Sequence, residues 1–300
     1  MTWFYLALLA PLLYAIVNLL DDNLLHYVYE SPSLAAVSAG LFGSLPLLSL
    51  FVLHAHALPP RVVIMAVLTG MLTLGYYYFY FRGLESETPA VVVALLGLAP
   101  VFLPLFAHVF VHEHLVGPQA IGFGIVLVAS LALAITDFKT FTFSRALVPA
   151  LVAVCLLDAA ALFSKSVYQQ TDFYSGYMYF SLGMGLGGLG FFIIMFRDNV
   201  RTIVRSSKNL KRLLPVIVIT ELMAVGAELT MNLAISRGPV SLVKVIMGIQ
   251  PMFVLLIALA LYPFWPQYFR EVKAGKLIRK FAIMAILIGG LAVVGMSATT

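Results

Sequence analysis

Long apolar runs alternate with short polar connections along the whole chain of 300 residues. A helix that crosses about 30 Å of hydrocarbon needs roughly 20 mostly apolar residues. Prolines and glycines such as Pro59-Pro60 and Gly238-Pro239 fall between the runs, where proline removes no helical hydrogen bond. The pattern predicts an all-α integral membrane protein with ten transmembrane helices, at 2–20, 34–53, 61–81, 89–111, 118–136, 147–168, 175–195, 213–234, 240–262 and 277–297.

The chain also repeats itself. Residues 61–102 align without a gap to residues 212–253, at a constant offset of 151. Gly97-Leu-Ala-Pro100-Val-Phe102 then matches Gly248-Ile-Gln-Pro251-Met-Phe253. We therefore expect two five-helix repeats, 1–145 and 146–300. Since five is an odd number of crossings, the second repeat should be inverted in the membrane, which is a layout typical of secondary transporters.

Composition agrees with a membrane protein that has no soluble domain. Hydrophobic residues make up 62% of the chain, charged residues 10%, and the mean hydropathy is +1.03. A soluble domain has about 25% charged residues. The single cysteine, Cys155, excludes an internal disulfide framework.

Lysine and arginine in the short loops predict the orientation, because cytoplasmic loops are enriched in both. Fourteen of the 18 basic residues lie in loops that follow the third, fifth, seventh and ninth predicted spans. The opposite face has only Arg61 and Arg237. We therefore expect both termini outside. The net charge of +5 then reflects topology and anionic lipid, and it gives no indication of nucleic-acid binding.

The repeated motif resembles a known family. Gly97-Leu-Ala-Pro100-Val-Phe102, Glu113 and Gln119-Ala-Ile-Gly122 look like the EamA module of the drug/metabolite transporter superfamily. The second copy departs from the pattern after Tyr262, so Glu113 has no counterpart there. The resemblance implies a ten-helix carrier of small metabolites, in which spans 5 and 10 are peripheral to a central cavity. It names no substrate.

Ionisable residues inside apolar spans are the sharpest candidates for a binding site, because each is costly in hydrocarbon unless it faces a cavity or a partner. Glu221 and Glu228 are seven residues apart and lie on one helical face, with Asn232 one turn further on. The other candidates are Lys244, Asp158 and Lys165. One interpretation is a pocket for a zwitterionic or charged substrate, with a carboxylate that carries a proton. The other is a structural ion-pair network.

The first half offers different groups. By the 151-residue offset Tyr77 is the mirror position of Glu228, although tyrosines at this depth more often form an interfacial belt. Asn18 is a further candidate for substrate binding. Asp21 and Asp22 near Arg82 form either a cytoplasmic gate or a solvated helix end. Pro100 and Pro251 lack an amide hydrogen, so we expect each to loosen its helix beside the cavity.

Other chemistries find little support. All six histidines lie in the first half, at spacings common by chance, and we assign no metal site and no cofactor. Gly185-Leu-Gly-Gly-Leu-Gly190 matches a dinucleotide fingerprint, but no strand precedes it, so close helix packing through Gly183 and Gly187 is favoured. Phosphate-loop, nucleophile-elbow and zinc-helix motifs are absent from the sequence.

The sequence therefore predicts a secondary active transporter, and not an enzyme, that moves a small polar metabolite such as an amino acid by alternating access. Export across a bacterial inner membrane is expected from the family resemblance. The expected partners are the substrate, the lipid bilayer and, for a coupled carrier, a proton. Two alternatives stay open: a membrane enzyme or flippase acting on a lipid-linked substrate, and a non-transporting partner subunit.

Overall fold

The computed structural model describes residues 2–29, 31–51, 56–87, 89–96, 103, 117–134 and 145–264, with separate positions between 282 and 293. For 195–213 it describes the backbone alone. Within these residues the protein is all-α, and no strand occurs. The helices are α1 (Thr2–Leu24), α2 (Pro32–Gly43), α3 (Pro60–Leu84), α4 (Pro89–Leu96), α5 (Gly117–Ala134), α6 (Leu147–Gln170), α7 (Phe173–Arg237), α8 (Val240–Met247) and α9 (Gln250–Leu261).

Two short irregular helices complete the described part of the chain. A π-helical turn, Leu25–Tyr29, extends α1, and a 3₁₀ helix, Leu45–Phe51, follows α2. The starts of the helices follow local chemistry. Ser31 caps α2 by accepting the Leu34 amide at 3.2 Å, and Asp172 caps α7 by accepting the Ser175 amide at 2.9 Å. The first three predicted spans correspond to Thr2–Tyr29, Pro32–Ser49 and Pro60–Leu84, whose ends differ from the predicted ones by up to nine residues.

Seven segments of the described residues are long and apolar enough to cross a membrane: Thr2–Tyr29, Pro32–Ser49, Pro60–Leu84, Leu147–Gln170, Phe173–Ile194, Leu214–Arg237 and Val240–Leu261. The prediction of an all-α, multi-pass membrane protein is thus confirmed. The other three predicted spans fall partly on residues outside the described set, so the number of ten and the inverted repeats stay predictions.

The connection between the seventh and eighth predicted spans differs from expectation. The sequence predicted a basic loop from 196 to 212, whereas α7 is helical from Phe173 to Arg237. A straight helix of 65 residues would be about 100 Å long. Gly183 and Glu228 nevertheless both contact α3, so the chain reverses direction between the two spans. Leucine, lysine and arginine are good helix formers, which explains why a basic segment is helical here.

The span from Val240 to Leu261 is broken near its middle. α8 ends at Met247, and α9 begins at Gln250 with Pro251 in its first turn. The intervening Gly248 and Ile249 amides donate to the carbonyls of Val245 and Ile246, three residues back. Proline has no amide hydrogen to continue the α-helical pattern, so the interruption lies directly before it. Pro251 is buried, whereas its mirror residue Pro100 lies outside the described residues.

Glycines bring α2, α3 and the first part of α7 into backbone contact. A Cβ on Gly183 would lie 2.1 Å from the carbonyl oxygen of Val67, and one on Gly70 would lie 2.1 Å from that of Phe180. A Cβ on Gly40 would lie 2.6 Å from Cα of Gly188. The prediction that this glycine-rich run serves close helix packing is confirmed, because these positions have no room for any side chain.

Two buried clusters flank the middle of the bundle. One is built on the aromatic face of α3 and the first part of α7, and includes Tyr77, Tyr80 and Phe180. The other joins α1 to the second part of α7 and to α8, and includes Tyr14 and Met231. Large apolar side chains such as Ile64, Val148 and Leu189 point outward, as expected for a lipid-facing surface. The polar groups of the interior lie between these two clusters.

Candidate functional site

Glu228 is the centre of the polar interior. Its Oε2 accepts hydrogen bonds from the hydroxyls of Tyr14 and Tyr77, the latter at 3.1 Å. Its Oε1 accepts from Nδ2 of Asn232 at 2.8 Å. The three donors come from α1, α3 and α7 itself, so a single carboxylate ties three membrane-spanning segments together. Charge-assisted hydrogen bonds of this kind are about twice as strong as neutral ones.

Asn232 holds Glu228 in this orientation. Asn232 is buried, and its Oδ1 accepts from Ser164 Oγ at 3.1 Å and from Tyr168 Oη at 3.0 Å, both on α6. Its amide nitrogen donates to both the side chain and the backbone carbonyl of Glu228. All hydrogen-bonding capacity of the Asn232 amide oxygen and much of that of its nitrogen is thus used inside the protein. Asn232 lies behind Glu228 and lines neither of the cavities described next.

A cavity, the lysine cavity, opens on one side of Glu228. Its polar wall contains Lys244, Gln250, Tyr14 and Tyr76. The remaining wall is apolar and consists of Val93, Leu96, Leu157, Met231, Met247 and Gly248. The break between α8 and α9 thus forms part of this wall. Discontinuous helices are a common way to build a substrate site in a transporter.

A second cavity, the acidic cavity, lies on the other side of Glu228. Its other polar groups come from Asp21, Glu221, Tyr77 and Tyr177, and Phe81, Phe180 and Met184 are among its apolar ones. The Tyr29 hydroxyl lies 3.0 Å from Glu221 Oε1. Glu228 therefore faces two cavities at once, with the phenols of Tyr14 and Tyr77 beside it. One cavity has a lysine and the other has two further carboxylates.

Lys244 and Asp158 are buried close to this site without direct contact. Within the described residues, the Lys244 ammonium forms no hydrogen bond and no ion pair shorter than 4 Å. Both Asp158 and Glu228 lie within electrostatic range of it. Asp158 Oδ1 is buried and has no hydrogen-bond partner in the described part of the chain. Buried charges normally form an ion pair or face a polar cavity. The Lys244 ammonium therefore still has hydrogen-bond donors available to a further group.

Two candidates from the sequence have structural partners elsewhere. Lys165 Nζ donates to the carbonyls of Ile235 at 3.0 Å and Gly238 at 2.6 Å, at the C-terminal end of α7, where a cation is favourable. Arg82 Nη1 donates to Glu85 Oε2 at 2.8 Å on the protein surface. Arg82 is therefore engaged with Glu85, and not with Asp21 or Asp22, in this conformation.

The residues at the end of α1 divide into a buried and an exposed group. Asn18 is buried, and its Oδ1 accepts from the Tyr80 hydroxyl at 3.0 Å. Asp21 is also buried and is within hydrogen-bonding reach of Tyr80. Asp22 lies nearer the surface, with His26 Nδ1 at 3.5 Å from its carboxylate. Of the two aspartates, Asp21 thus lines a cavity and Asp22 lies at the helix end.

The tyrosines of α3 correct one sequence interpretation. An interfacial belt was favoured for them, but Tyr76, Tyr77 and Tyr80 are buried in the protein, and only Tyr78 is partly exposed. Their hydroxyls face the polar interior because α3 packs between α6 and α7 over much of its length. Tyr77 and Glu228 form a direct hydrogen bond across 151 residues, which equals the repeat offset.

Sequence reasoning missed Tyr14, Tyr76 and Gln250 as parts of the site. Tyr14 and Tyr76 gave no usable signal, because tyrosine is common in membrane-spanning helices and near interfaces. Gln250 gave one, since it is the polar counterpart of Ala99 in the repeated motif. A polar residue that replaces an apolar one at a mirrored position was a reason to add it to the candidates.

The first 135 residues match a known protein family. Residues 1–135 match the EamA-like transporter family. The resemblance stated from the sequence is confirmed over that part of the chain. The EamA match covers α1 to α5 and includes Tyr14, Asn18 and Tyr77. Its range stops before Glu228 and Lys244.

Comparison with structures supports the fold over the whole length. A solved structure, titled only "Crystal structure of protein", has 19% sequence identity to this chain and a TM-score of 0.67. The similarity covers 99% of this chain and 96% of the other. At this identity the likeness shows a shared fold and nothing about substrates. No curated protein matches the sequence.

Proposed function

We propose that this protein is a secondary active transporter that moves a small polar metabolite, an amino acid or a related compound, by alternating access. The observation that supports it best is the position of Glu228 between two cavities, each with its own polar lining. A carrier needs a site that is reached in turn from either side. Glu228 and Lys244 are the proposed substrate-binding pair, with Asp158, Tyr77 and Glu221 as neighbours.

The mirror contact supports the proposed architecture of two inverted repeats, 1–145 and 146–300. When two repeats are related by a two-fold axis, residues at equivalent positions touch each other only close to that axis. Tyr77 and Glu228 are such a pair and are hydrogen-bonded at 3.1 Å. The proposed axis therefore runs through the polar site, as it does in transporters whose substrate binds between repeats.

Orientation, direction and coupling belong to the same proposal. The excess of basic loops favours termini outside. The family resemblance favours export across a bacterial inner membrane. Glu228 is the proposed proton carrier of a coupled cycle, because it faces both cavities. Asp21, Asp22 and Arg82 are proposed to form a cytoplasmic gate, which requires that Arg82 leave Glu85. Pro100 and Pro251 are proposed to let their helices bend during the change of access.

The decisive experiment is flux in proteoliposomes that contain only this protein. Radiolabelled amino acids are the first substrates to test. We expect Glu228→Gln and Lys244→Met each to abolish flux while the protein remains folded and monodisperse. Arg237→Met removes an exposed positive charge at the end of α7 and should transport like wild type. Full transport by both site variants would show that Glu228 and Lys244 have only a structural role.

The same assay separates the alternative functions. An enzyme acting on lipid-linked substrates predicts product formation without net flux of a soluble substrate. A subunit that needs a partner predicts no flux in liposomes that hold this chain alone. Orientation is tested separately: a C-terminal alkaline phosphatase fusion should be active and a fluorescent-protein fusion dark. The reverse result would place the termini in the cytoplasm and Asp21, Asp22 and Arg82 on the outer side.

A further inference from the structure

Three polar side chains of the lysine cavity have no hydrogen-bond partner within the described residues. These are Lys244, Gln250 and Tyr76, which are 4%, 9% and 9% exposed. Lys244 lies within electrostatic range of Asp158 and Glu228. Tyr76 lies within range of Glu228 and Asp21, and its ring packs against those of Tyr77 and Tyr80. A buried donor without a partner is destabilising, so such groups normally meet a ligand or water.

The polar groups of the lysine cavity that have no partner within the described residues can all donate hydrogen bonds. Lys244 has three donors and no acceptor, and the Gln250 amide and the Tyr76 hydroxyl each can donate as well. Glu228, by contrast, already accepts hydrogen bonds from Tyr14, Tyr77 and Asn232. The groups that remain available to a ligand therefore favour an oxygen acceptor with negative charge. A cationic group would meet a carboxylate whose lone pairs are mostly occupied.

The charge balance favours a single negative charge on the ligand. Lys244 is the only cation among the described residues that line the cavity, while Glu228 shares its wall and Asp158 is nearby. A dianion such as a phosphate monoester would add two negative charges to a site that already has two carboxylates for one ammonium. The remainder of the wall is apolar, with Met231, Met247 and Leu157 among its members.

We infer that the lysine cavity recognises its ligand through a carboxylate group bound by Lys244, Gln250 and Tyr76, and that the rest of the ligand is apolar. This inference rests on the proposed transport site and specifies which end of the substrate binds where. The ligand class is an amphipathic monocarboxylate, with or without an α-amino group. Lys244 supplies the charge, Gln250 and Tyr76 supply orientation, and the methionines contact the apolar chain.

The test compares ligands that differ only at the proposed recognition group. Binding to the purified full-length protein in detergent is measured by thermal shift and equilibrium dialysis for pentanoate and pentanamide, and for norvaline and norvalinamide. We expect the carboxylate of each pair to bind at least tenfold more tightly than its amide. Pentyl phosphate should bind more weakly than pentanoate. An amide that binds as tightly as its acid, tighter binding of the phosphate, or no measurable binding of pentanoate would overturn the inference.

Variants then assign the preference to residues. Lys244→Met should weaken pentanoate binding about 10- to 100-fold and leave pentanamide almost unchanged, because a hydrogen bond to a charged group is lost. Gln250→Leu should weaken it about 2- to 10-fold, and Lys244→Arg should retain most of the preference. Gln170→Leu, an exposed glutamine at the end of α6, and Arg237→Met are the matched controls and should behave like wild type. A Lys244→Met protein that keeps the acid-over-amide ratio would contradict the assignment.

Failure of this inference can be told apart from failure of the transport proposal. The ratio of acid to amide binding is measured without a membrane gradient, so it needs no transport. Pentanoate binding with the expected ratio but no flux of any carboxylate would contradict the transporter alone. Flux of an amine or a neutral solute without carboxylate binding would contradict the subsite alone.

Discussion

The contact between mirrored residues can be measured as a free energy. Tyr77→Phe removes one donor to Glu228, and Glu228→Leu removes the acceptor of three hydrogen bonds. A hydrogen bond to a charged group contributes about 1.5–3 kcal/mol, whereas couplings between membrane helices average about 0.6 kcal/mol and reach about 1.7. The Tyr77–Glu228 bond combines charge with burial, so we expect a coupling near the upper membrane value, about 1–1.7 kcal/mol.

A double-mutant cycle gives this coupling directly. The free energy of unfolding is measured for wild type, both single variants and the double variant by titration with a denaturing detergent. The matched control is Tyr78→Phe combined with Glu228→Leu, because Tyr78 stacks on Phe191 and has no hydrogen bond within the described residues. The control should be additive within about 0.3–0.5 kcal/mol. A Tyr77 coupling no larger than that of the control would refute the claim that this hydrogen bond joins the two halves.

Three further predictions concern stability. Gly183→Ala should destabilise the protein by about 1–3 kcal/mol in the same titration, because its Cβ would overlap Val67, whereas Gly190→Ala, with open space around it, should be neutral or stabilising. Lys165→Met should lower stability by about 1–3 kcal/mol because two carbonyls at the end of α7 lose a charged donor, and a variant as stable as wild type would argue against that capping role. Asp172→Ala should cost about 1 kcal/mol through loss of the N-cap of α7. Burial raises the pKa of Asp172, but hydrogen bonds from the backbone and hydroxyl of Ser175 outweigh it and lower the pKa overall. The difference between wild type and Asp172→Ala should therefore be full at neutral pH and decline as the pH falls from about 4 through the lowered pKa of Asp172, and a pH-independent difference would contradict it.

The sequence was most informative where a charged residue interrupts an apolar segment. Glu221, Glu228 and Lys244 stood out because charges in apolar spans are costly, and all three line a cavity. Lys165 is also a charged residue in an apolar span, but its partners are backbone carbonyls. No sequence pattern reveals such partners. Tyr77 was identified only because the repeat offset placed it opposite Glu228. Its burial followed from tertiary packing of α3, which overrides the interfacial preference of tyrosine.

Helix positions were predictable from hydropathy, but their continuity was not. The basic segment between Ile194 and Leu214 was interpreted as a loop because charge was taken to end the helix. Lysine, arginine and leucine, which are frequent in this segment, are nevertheless good helix formers. The break at Gly248 and Ile249 was anticipated in part, because Pro251 follows directly. The local sequence does not show which neighbouring segment fills the space at this break.

The glycine contacts between α2, α3 and the first part of α7 have a consequence for motion. Backbones that touch at Gly40, Gly70 and Gly183 cannot slide along one another without first moving apart, because carbonyl groups occupy the space that a shift would need. These three segments therefore form a fixed frame. In the proposed transport cycle, we therefore expect the change of access to occur across the seam, defined as the contact at which Tyr14 and Tyr77 donate to Glu228. Pairs of spectroscopic labels within the frame should then report constant distances, while pairs that bridge the seam report two.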